Sequence, residues 1–421
     1  MPLNSEQEIV VQAMLKHCTT TGDSNFFLLE GPAGTGKTFC MQELVQRMKR
    51  RIVFTAPTNK AVKVLRETLR SETYRPECKT IYSLLGLTMA ANGEVKELRA
   101  SEEEVDISAY AVVVVDEGGM LSIPVMKYIH EASKLHPQIR WIFMGDRWQL
   151  PPVGEDLSQI WTLCQEDKKG VLTKIMRTDN QILKLSAQVR SQIITPFKPI
   201  EFVSDHDDIE GVWALSAAGY RQAIINDADS FLSGKAKAIA WRNVVVDELN
   251  ALIRKELFAD PYLYPWQPGD RITMLEPGKD LEGKPMVTTD EEGTVERADI
   301  SQHPEANEFK CWRIVVRTDF NQSVTLWLLH KESQPAYTNR VARLAAEAKI
   351  DRRKWKNFWE FKELFHSARH AYATTAHRAQ GSTYEKAYAN WRDILTNRSR
   401  AEAYRCLYVS VTRPKKELYM G

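Results

Sequence analysis

Eight consecutive residues, Gly31-Pro32-Ala33-Gly34-Thr35-Gly36-Lys37-Thr38, have the spacing G-x-x-x-x-G-K-[ST] of a phosphate-cradling loop. Its glycines let the backbone close around a polyphosphate with no side chain in the way. Free amides at the start of a following helix would point at the anion. Lys37 would reach the β- and γ-phosphates, and the Thr38 hydroxyl would bind Mg²⁺. Farther on, Asp116-Glu117 closes an apolar run. Asp116 suits the carboxylate that holds Mg²⁺ in such NTPases, and Glu117 suits proton removal from the attacking water. Gln149, in Gly145-Asp146-Arg147-Trp148-Gln149, lies on a loop of the same kind and could touch the γ-phosphate and report its presence. Phosphoryl transfer also needs positive charge on the departing group, and an arginine finger can raise the rate by about 10³–10⁵. Arg177 and Arg413 are the candidates. Singly, each of these could be a surface residue or an ordinary turn; as an ensemble with Lys37 they describe hydrolysis of a nucleoside triphosphate.

The flanks are those the chemistry needs. Asn25 to Glu30 reads as a buried strand before the loop, and Met41, Leu44, Val45 and Met48 recur at helical spacing after it. Ser5-Glu6-Gln7-Glu8 has capping-box spacing ahead of a helix through Leu15. Arg51–Ala56, Ala111–Val115 and Trp141–Met144 are further apolar runs of the kind found in parallel sheets covered on both faces. Each ends in polar, Gly-rich or acidic residues, at the edge where open α/β sheets bind ligands.

From about Lys174 a second α/β pattern begins, with a strand at 238–241, a helix at 245–258 and strands at 371–375, 387–391, 406–411 and 417–420. Two insertions interrupt the series. Residues 87–108, with Asn92-Gly93 and Glu102-Glu103-Glu104, read as a hairpin. Residues 266–330 read as short strands of a small β-barrel, and 342–365 as helix. Within 348–370, basic residues interleave with Trp355, Phe358, Trp359, Phe361 and Phe365. That is either a strand-binding channel or, the favoured reading, a packed helix with a basic outer face. Trp148 either stacks on a base or the neighbouring unit, or plugs the sheet end.

The 421 residues exceed one ordinary core. Hydrophobic content of 43% and charged content of 27% are those of a globular protein. No apolar run approaches a membrane span, and the amphipathic first twenty residues do not read as a signal peptide. Six scattered cysteines without a C-x-x-C pair argue against zinc or a disulfide framework and for a reducing compartment. A net charge of +2 leaves any nucleic-acid partner to local basic surfaces.

Taken in order, Gln7, the phosphate loop, Thr55-Ala56-Pro57-Thr58, Lys79-Thr80-Ile81-Tyr82-Ser83, Asp116-Glu117, Gly145-Asp146-x-x-Gln149, Arg177, Thr375-Ala376-His377-Arg378-Ala379-Gln380-Gly381-Ser382 and Tyr408-Val409-x-Val411-Thr412-Arg413 form a motif series. The series resembles the superfamily 1 helicases of type B, the RecD-like group with its Dda-like phage branch, over nearly the full length. The resemblance implies an α/β fold of two RecA-like P-loop domains in tandem, with a β-hairpin insertion and an SH3-like β-barrel insertion. The implied division is 1–170 for the first domain, 87–108 for its hairpin, 171–260 with 346–421 for the second, and 261–345 for the barrel.

The implied activity is an ATP- and Mg²⁺-dependent DNA helicase moving 5′→3′ on single-stranded DNA. In it Gln7 recognises adenine, and Gln380 with Gly381 couples nucleotide to DNA. Thr55, Pro57, Thr58, Asn59, Thr80, Tyr82, Asn243, Thr375 and His377 contact the strand. The hairpin is the separating pin, with Met89 and Leu98 as wedge candidates. Expected partners are single-stranded and forked duplex DNA and a single-strand-binding or replication protein. The expected state is a monomer, in the cytoplasm or a phage host's cytoplasm, serving replication, recombination or repair. The resemblance leaves open an RNA helicase or remodeller, and the residues leave open an ATP-binding switch or a small-molecule kinase. This chain departs from the pattern at Gly118-Gly119, at Asn59 and at Trp148.

Overall fold

The computed structural model describes residues 2–20, 24–70, 74–101, 105–174, 181–194, 200–207 and 209–421. Among them, a six-stranded parallel sheet runs in the order Glu77–Thr80, Ile52–Ala56, Val112–Val115, Arg140–Gly145, Phe26–Glu30, Lys169–Val171. Its central strands are buried on both faces, which is why they read as unbroken apolar runs. Val11, Met41, Leu44 and Phe54 pack on one face; Val113, Met126, Trp141 and Phe143 pack on the other. The capping box sits one residue earlier than its expected place. Asn4 caps helix Ser5–Thr19 and Gln7 reaches back to it.

A second six-stranded sheet has the order Ala373–Thr375, Ala236–Ala240, Tyr384–Ala389, Pro414–Met420, Gly211–Ala214, Asp205–His206, parallel except at its last pair. The expected strand at 406–411 is instead the end of helix Arg400–Val411. All six of those residues are buried, and an apolar run packed on every side carries no period that separates strand from helix. The expected helix over 342–365 is two, Gln334–Ile350 and Trp355–Glu363.

Between these units lies a five-stranded antiparallel sheet, Ser323–Leu329, Ala306–Thr318, Glu292–His303, Arg271–Met274, Ala368–His370. Two of its strands run 12 and 13 residues, longer than the short strands expected. Its fifth strand comes from beyond residue 345, and the expected 345/346 boundary falls inside helix Gln334–Ile350. The 170/171 boundary likewise cuts strand Lys169–Val171, which pairs with Phe26–Glu30. Leu87–Asn92 and Val95–Ala100 form the hairpin. All six cysteines are buried and unpaired. No helix among the described residues is long and apolar enough to cross a membrane.

Candidate nucleotide cleft and nucleic-acid interface

The phosphate loop leaves strand Phe26–Glu30 and enters helix Lys37–Arg47, whose N-cap Gly36 has φ +86°. A Cβ there would stand 2.5 Å from Gln7 Nε2, so both conformation and space require glycine. Lys37 Nζ donates to the carbonyls of Gly31 at 2.6 Å and Pro32 at 3.1 Å, folding the ammonium back over the loop. Thr38 follows in the first helical turn. Gln7 is buried: its Oε1 accepts from Asn4 N–H and its Nε2 donates to Thr35 O, both at 3.1 Å. It braces the loop, and reading adenine with the same amide would mean giving up these bonds.

Strand Val112–Val115 delivers the two carboxylates. Glu117 has φ +50°, uncommon for a residue with a Cβ, and its N–H donates to Asp116 Oδ1 at 2.9 Å. Burial raises both carboxyls. Glu117 is pushed up to about 7 by burial and by the Asp116 charge, against the pull of Arg413 and Lys37. A group poised there suits proton acceptance near neutrality. Asp116 is a half-buried carboxyl with Lys37 as its offsetting cation, a hard oxygen donor of the kind Mg²⁺ takes. The Gly118-Gly119 departure has a packing cause. A Cβ on Gly119 would meet Trp161 Cζ2 at 3.1 Å, and one on Gly118 would meet Ile160 Cδ1 at 3.1 Å.

The second unit closes this cleft. Tyr408 Oη donates to Asp146 Oδ2 at 2.6 Å and stands 3.5 Å from Ala33 N. Gln380 Nε2 donates to Gln149 Oε1 at 3.2 Å, and Arg405 Nη1 to the carbonyls of Arg147 at 2.6 Å and Gln149 at 2.7 Å. Leu150 and Trp148 insert into the second unit's core, which decides Trp148 in favour of the neighbouring unit. Gly381 lies against helix Asn59–Leu69: a Cβ on it would come 3.2 Å from Ala61 Cβ. Arg413 is buried and held by Val409 O, Ser382 O and Thr412 Oγ1, each at 3.1 Å, within electrostatic reach of Glu117. Arg177 lies outside the described residues, as do Glu102-Glu103-Glu104. Tyr408, Asp146, Arg405 and Trp161 were missed as site residues. A helical reading of 406–411 would have turned Tyr408 toward the cleft.

Of the expected strand contacts, Thr55 is corrected. It is fully buried and its Oγ1 donates to Val114 O at 2.9 Å, so its side chain stitches the sheet. Thr58, Thr80 and Thr375 each cap a helix at a strand's C-terminal end. Each hydroxyl accepts from a backbone amide; Thr58 and Thr80 are half-buried and keep an O–H that can donate to a phosphate, whereas Thr375 is buried. Asn243 is exposed and accepts from Arg369 at 2.8 Å. His377 lies 3.3 Å from Glu402. Pro57, Asn59 and Tyr82 are half-buried, Tyr82 packing on the first unit's core.

The hairpin turns at Gly93, φ +66°, the first central position of its two-residue loop. Its tip is gripped by helix Trp355–Glu363. Trp359 Nε1 donates to Gly93 O at 3.0 Å, Lys96 pairs with Glu363 at 2.7 Å, and Lys96 Nζ stands 4.8 Å from the Trp359 ring centre. Phe358, Phe361 and Phe365 are packed as expected, while the tryptophans hold the hairpin. Met89 and Leu98 face each other across the ladder. Met89 is exposed, whereas Leu98 packs on the core and is no free wedge.

A family model described as an AAA domain matches residues 2–213, half of the chain, and one described as a UvrD-like helicase C-terminal domain matches residues 370–420. The chain belongs to this AAA-domain family. Among similar proteins, the ATP-dependent DNA helicase dda of Enterobacteria phage T4 is 25% identical to this chain, over 93% of each. Uncharacterized protein R530 of Acanthamoeba polyphaga mimivirus is 24% identical over 99% of each. In fold, this chain is similar to Pif1 structures. One, of two Pif1 helicases coordinating at forked duplex DNA, has TM-score 0.56 and 15% identity over 100% of this chain and 92% of that one. Another, Bacteroides Pif1 bound to single-stranded DNA, has TM-score 0.52 and 16% identity over the same shares.

Proposed function

We propose that the chain is an ATP-dependent DNA helicase that moves 5′→3′ along single-stranded DNA and opens duplex ahead of it. The observation that carries this is the closed cleft, in which the second unit's Gln380, Tyr408 and Arg413 stand against the first unit's Gln149, Asp146 and Glu117. A nucleotide held by residues 31–38 would thus be touched by both units. Its hydrolysis would then change their separation.

Thr38 and Asp116 would hold Mg²⁺, which would supply positive charge against the phosphates. Glu117 takes the proton of the attacking water, Lys37 exchanges its loop carbonyls for phosphate oxygens, and Arg413 supplies positive charge from the second unit. Arg177 is assigned the same task from sequence. The bound strand runs past Pro57, Thr58, Asn59, Thr80, Tyr82, Asn243, Thr375 and His377. Hydroxyl and amide donors there bind phosphate without reading bases. The hairpin is the pin, with Met89 at its exposed face. The antiparallel sheet is assigned as an SH3-like arm beside the strand, with the two α/β units as RecA-like domains. A monomer acting in the cytoplasm with a single-strand-binding or replication partner completes the reading.

The test is strand displacement on forks carrying a single tail of either polarity, beside ATPase stimulation by matched DNA and RNA oligomers. Displacement only from the 5′ tail, with DNA stimulation falling steeply as salt rises, is expected. Absence of stimulation by any nucleic acid defeats the reading.

A further inference from the structure

Where the antiparallel sheet meets helix Asn59–Leu69, three cations converge on one carboxylate. Lys60 Nζ donates to Glu292 Oε1 at 2.8 Å. Lys237 Nζ donates to both Glu292 oxygens, at 3.1 and 3.0 Å, and Arg271 Nη2 donates to Oε2 at 3.4 Å. Lys60 belongs to the first α/β unit, Lys237 to strand Ala236–Ala240 of the second, and Arg271 and Glu292 to the sheet between them. Asp319 extends the cluster, taking Arg271 in a bidentate pair at 2.8 and 3.1 Å and lying 3.8 Å from Lys63. Lys237 is only 2% exposed and the Glu292 side chain 12%.

A buried cluster of this kind is poor glue, since apolar packing of equal volume is often as stable. It does tie three elements to one side chain. Without the Glu292 carboxylate, Lys60 and Lys237 would face one another, while Arg271 would keep Asp319. Burial opposes charge on Glu292, yet Lys237, Lys60 and Arg271 together hold its carboxyl far below the usual range. Lys237 is also lowered, to about 8, which here disfavours the charged form, because burial with the Lys60 and Arg271 charges outweighs the Glu292 carboxylate.

The joint lies between two parts of the motor. Thr58 and Asn59 immediately precede Lys60. On the other side, the Tyr384 ring stands 5.5 Å from Lys237 Nζ, and the Tyr384 N–H donates to Arg413 O at 3.1 Å. Ser382 O, two residues back, accepts from Arg413 Nη1. We propose that Glu292 is a positioning residue: seated between Lys60 and Lys237, it latches the inserted sheet to helix Asn59–Leu69 and sets the concentration of single strand at which ATP turnover is stimulated. The inference rests on the helicase reading above and extends it to a joint whose residues are assigned to neither nucleotide nor strand.

The test is ATP turnover against single-stranded oligonucleotide concentration for the unaltered protein, Glu292→Gln, Lys60→Gln and the double variant. DNA-free turnover stays within about twofold, and the oligonucleotide concentration for half-maximal stimulation rises about tenfold in each single variant. The double variant is no worse than either single, as residues acting through one contact are non-additive. Singles that match the unaltered protein, or effects that add in the double, overturn the latch and leave the helicase reading standing. An unaltered protein that no strand stimulates overturns both. Should Glu292→Gln fail to fold, Lys60→Met carries the test. The half-maximal oligonucleotide concentration then rises about tenfold with DNA-free turnover within about twofold; an unchanged stimulation curve overturns the latch.

Discussion

Tyr408 donates its hydroxyl hydrogen to Asp146 Oδ2 at 2.6 Å, joining a helix of the second unit to a strand end of the first. Asp146 is 4% exposed and Tyr408 1%. Removing the hydroxyl leaves a buried carboxylate short of a donor, a defect worth about 1–3 kcal/mol. Tyr408→Phe should therefore lower kcat for ATP while strand affinity without nucleotide stays unchanged. Steady-state kinetics beside fluorescence anisotropy reads this, and an unaltered kcat removes Tyr408 from the coupling.

Lys37→Ala should abolish ATP turnover and leave strand binding largely intact, because the strand contacts lie on other loops. Retained turnover would refute the loop assignment. Glu117→Gln removes the proton acceptor but not the loop, so turnover should fall by about 10²–10⁴ with nucleotide still bound. Equilibrium dialysis of labelled ATP against the variant separates the two steps.

The hairpin's hold on helix Trp355–Glu363 gives a third expectation. Trp359→Ala deletes the bond to Gly93 O and the ring beneath Lys96. Strand-stimulated ATPase should persist while strand displacement drops, because a pin without its brace yields to the duplex. If displacement is as fast as before, strand separation happens elsewhere.

Lys237 yields a pH dependence with a definite sign. Its folded-state value of about 8 lies below the roughly 10.4 of a free lysine. Between those values the unfolded chain binds a proton that the folded chain has released, so this group's contribution to stability rises with pH. The Tm difference between the unaltered protein and Lys237→Met should shift in favour of the former from about pH 8 to about pH 10. A flat difference would mean that Lys237 does not titrate there.

Much of the site was legible because its chemistry is local. Gly31 to Thr38 act through consecutive backbone amides, and Asp116-Glu117 are placed by the strand that precedes them, so spacing along the chain suffices. Thr55 shows the limit: its neighbours Pro57 and Thr58 lie at the sheet's edge, but alternation turns its own hydroxyl into the sheet. Leu407 to Val411 show another, since complete burial erases the period on which a strand or helix assignment depends. Trp355 and Trp359 shared a stripe with core phenylalanines, and sequence has no signal for a hairpin more than 250 residues away in the chain.

The amino-acid sequence by itself determined that a phosphate loop, two carboxylates and two series of α/β elements are present, for these follow from neighbours a few residues apart. Only the tertiary structure decided that Tyr408 meets Asp146, that Trp359 holds Gly93, and that Lys60, Lys237 and Glu292 share one buried joint. Such contacts depend on how distant segments pack once burial has chosen their faces. Energies of that kind are spread over whole cores rather than written in any one stretch of chain.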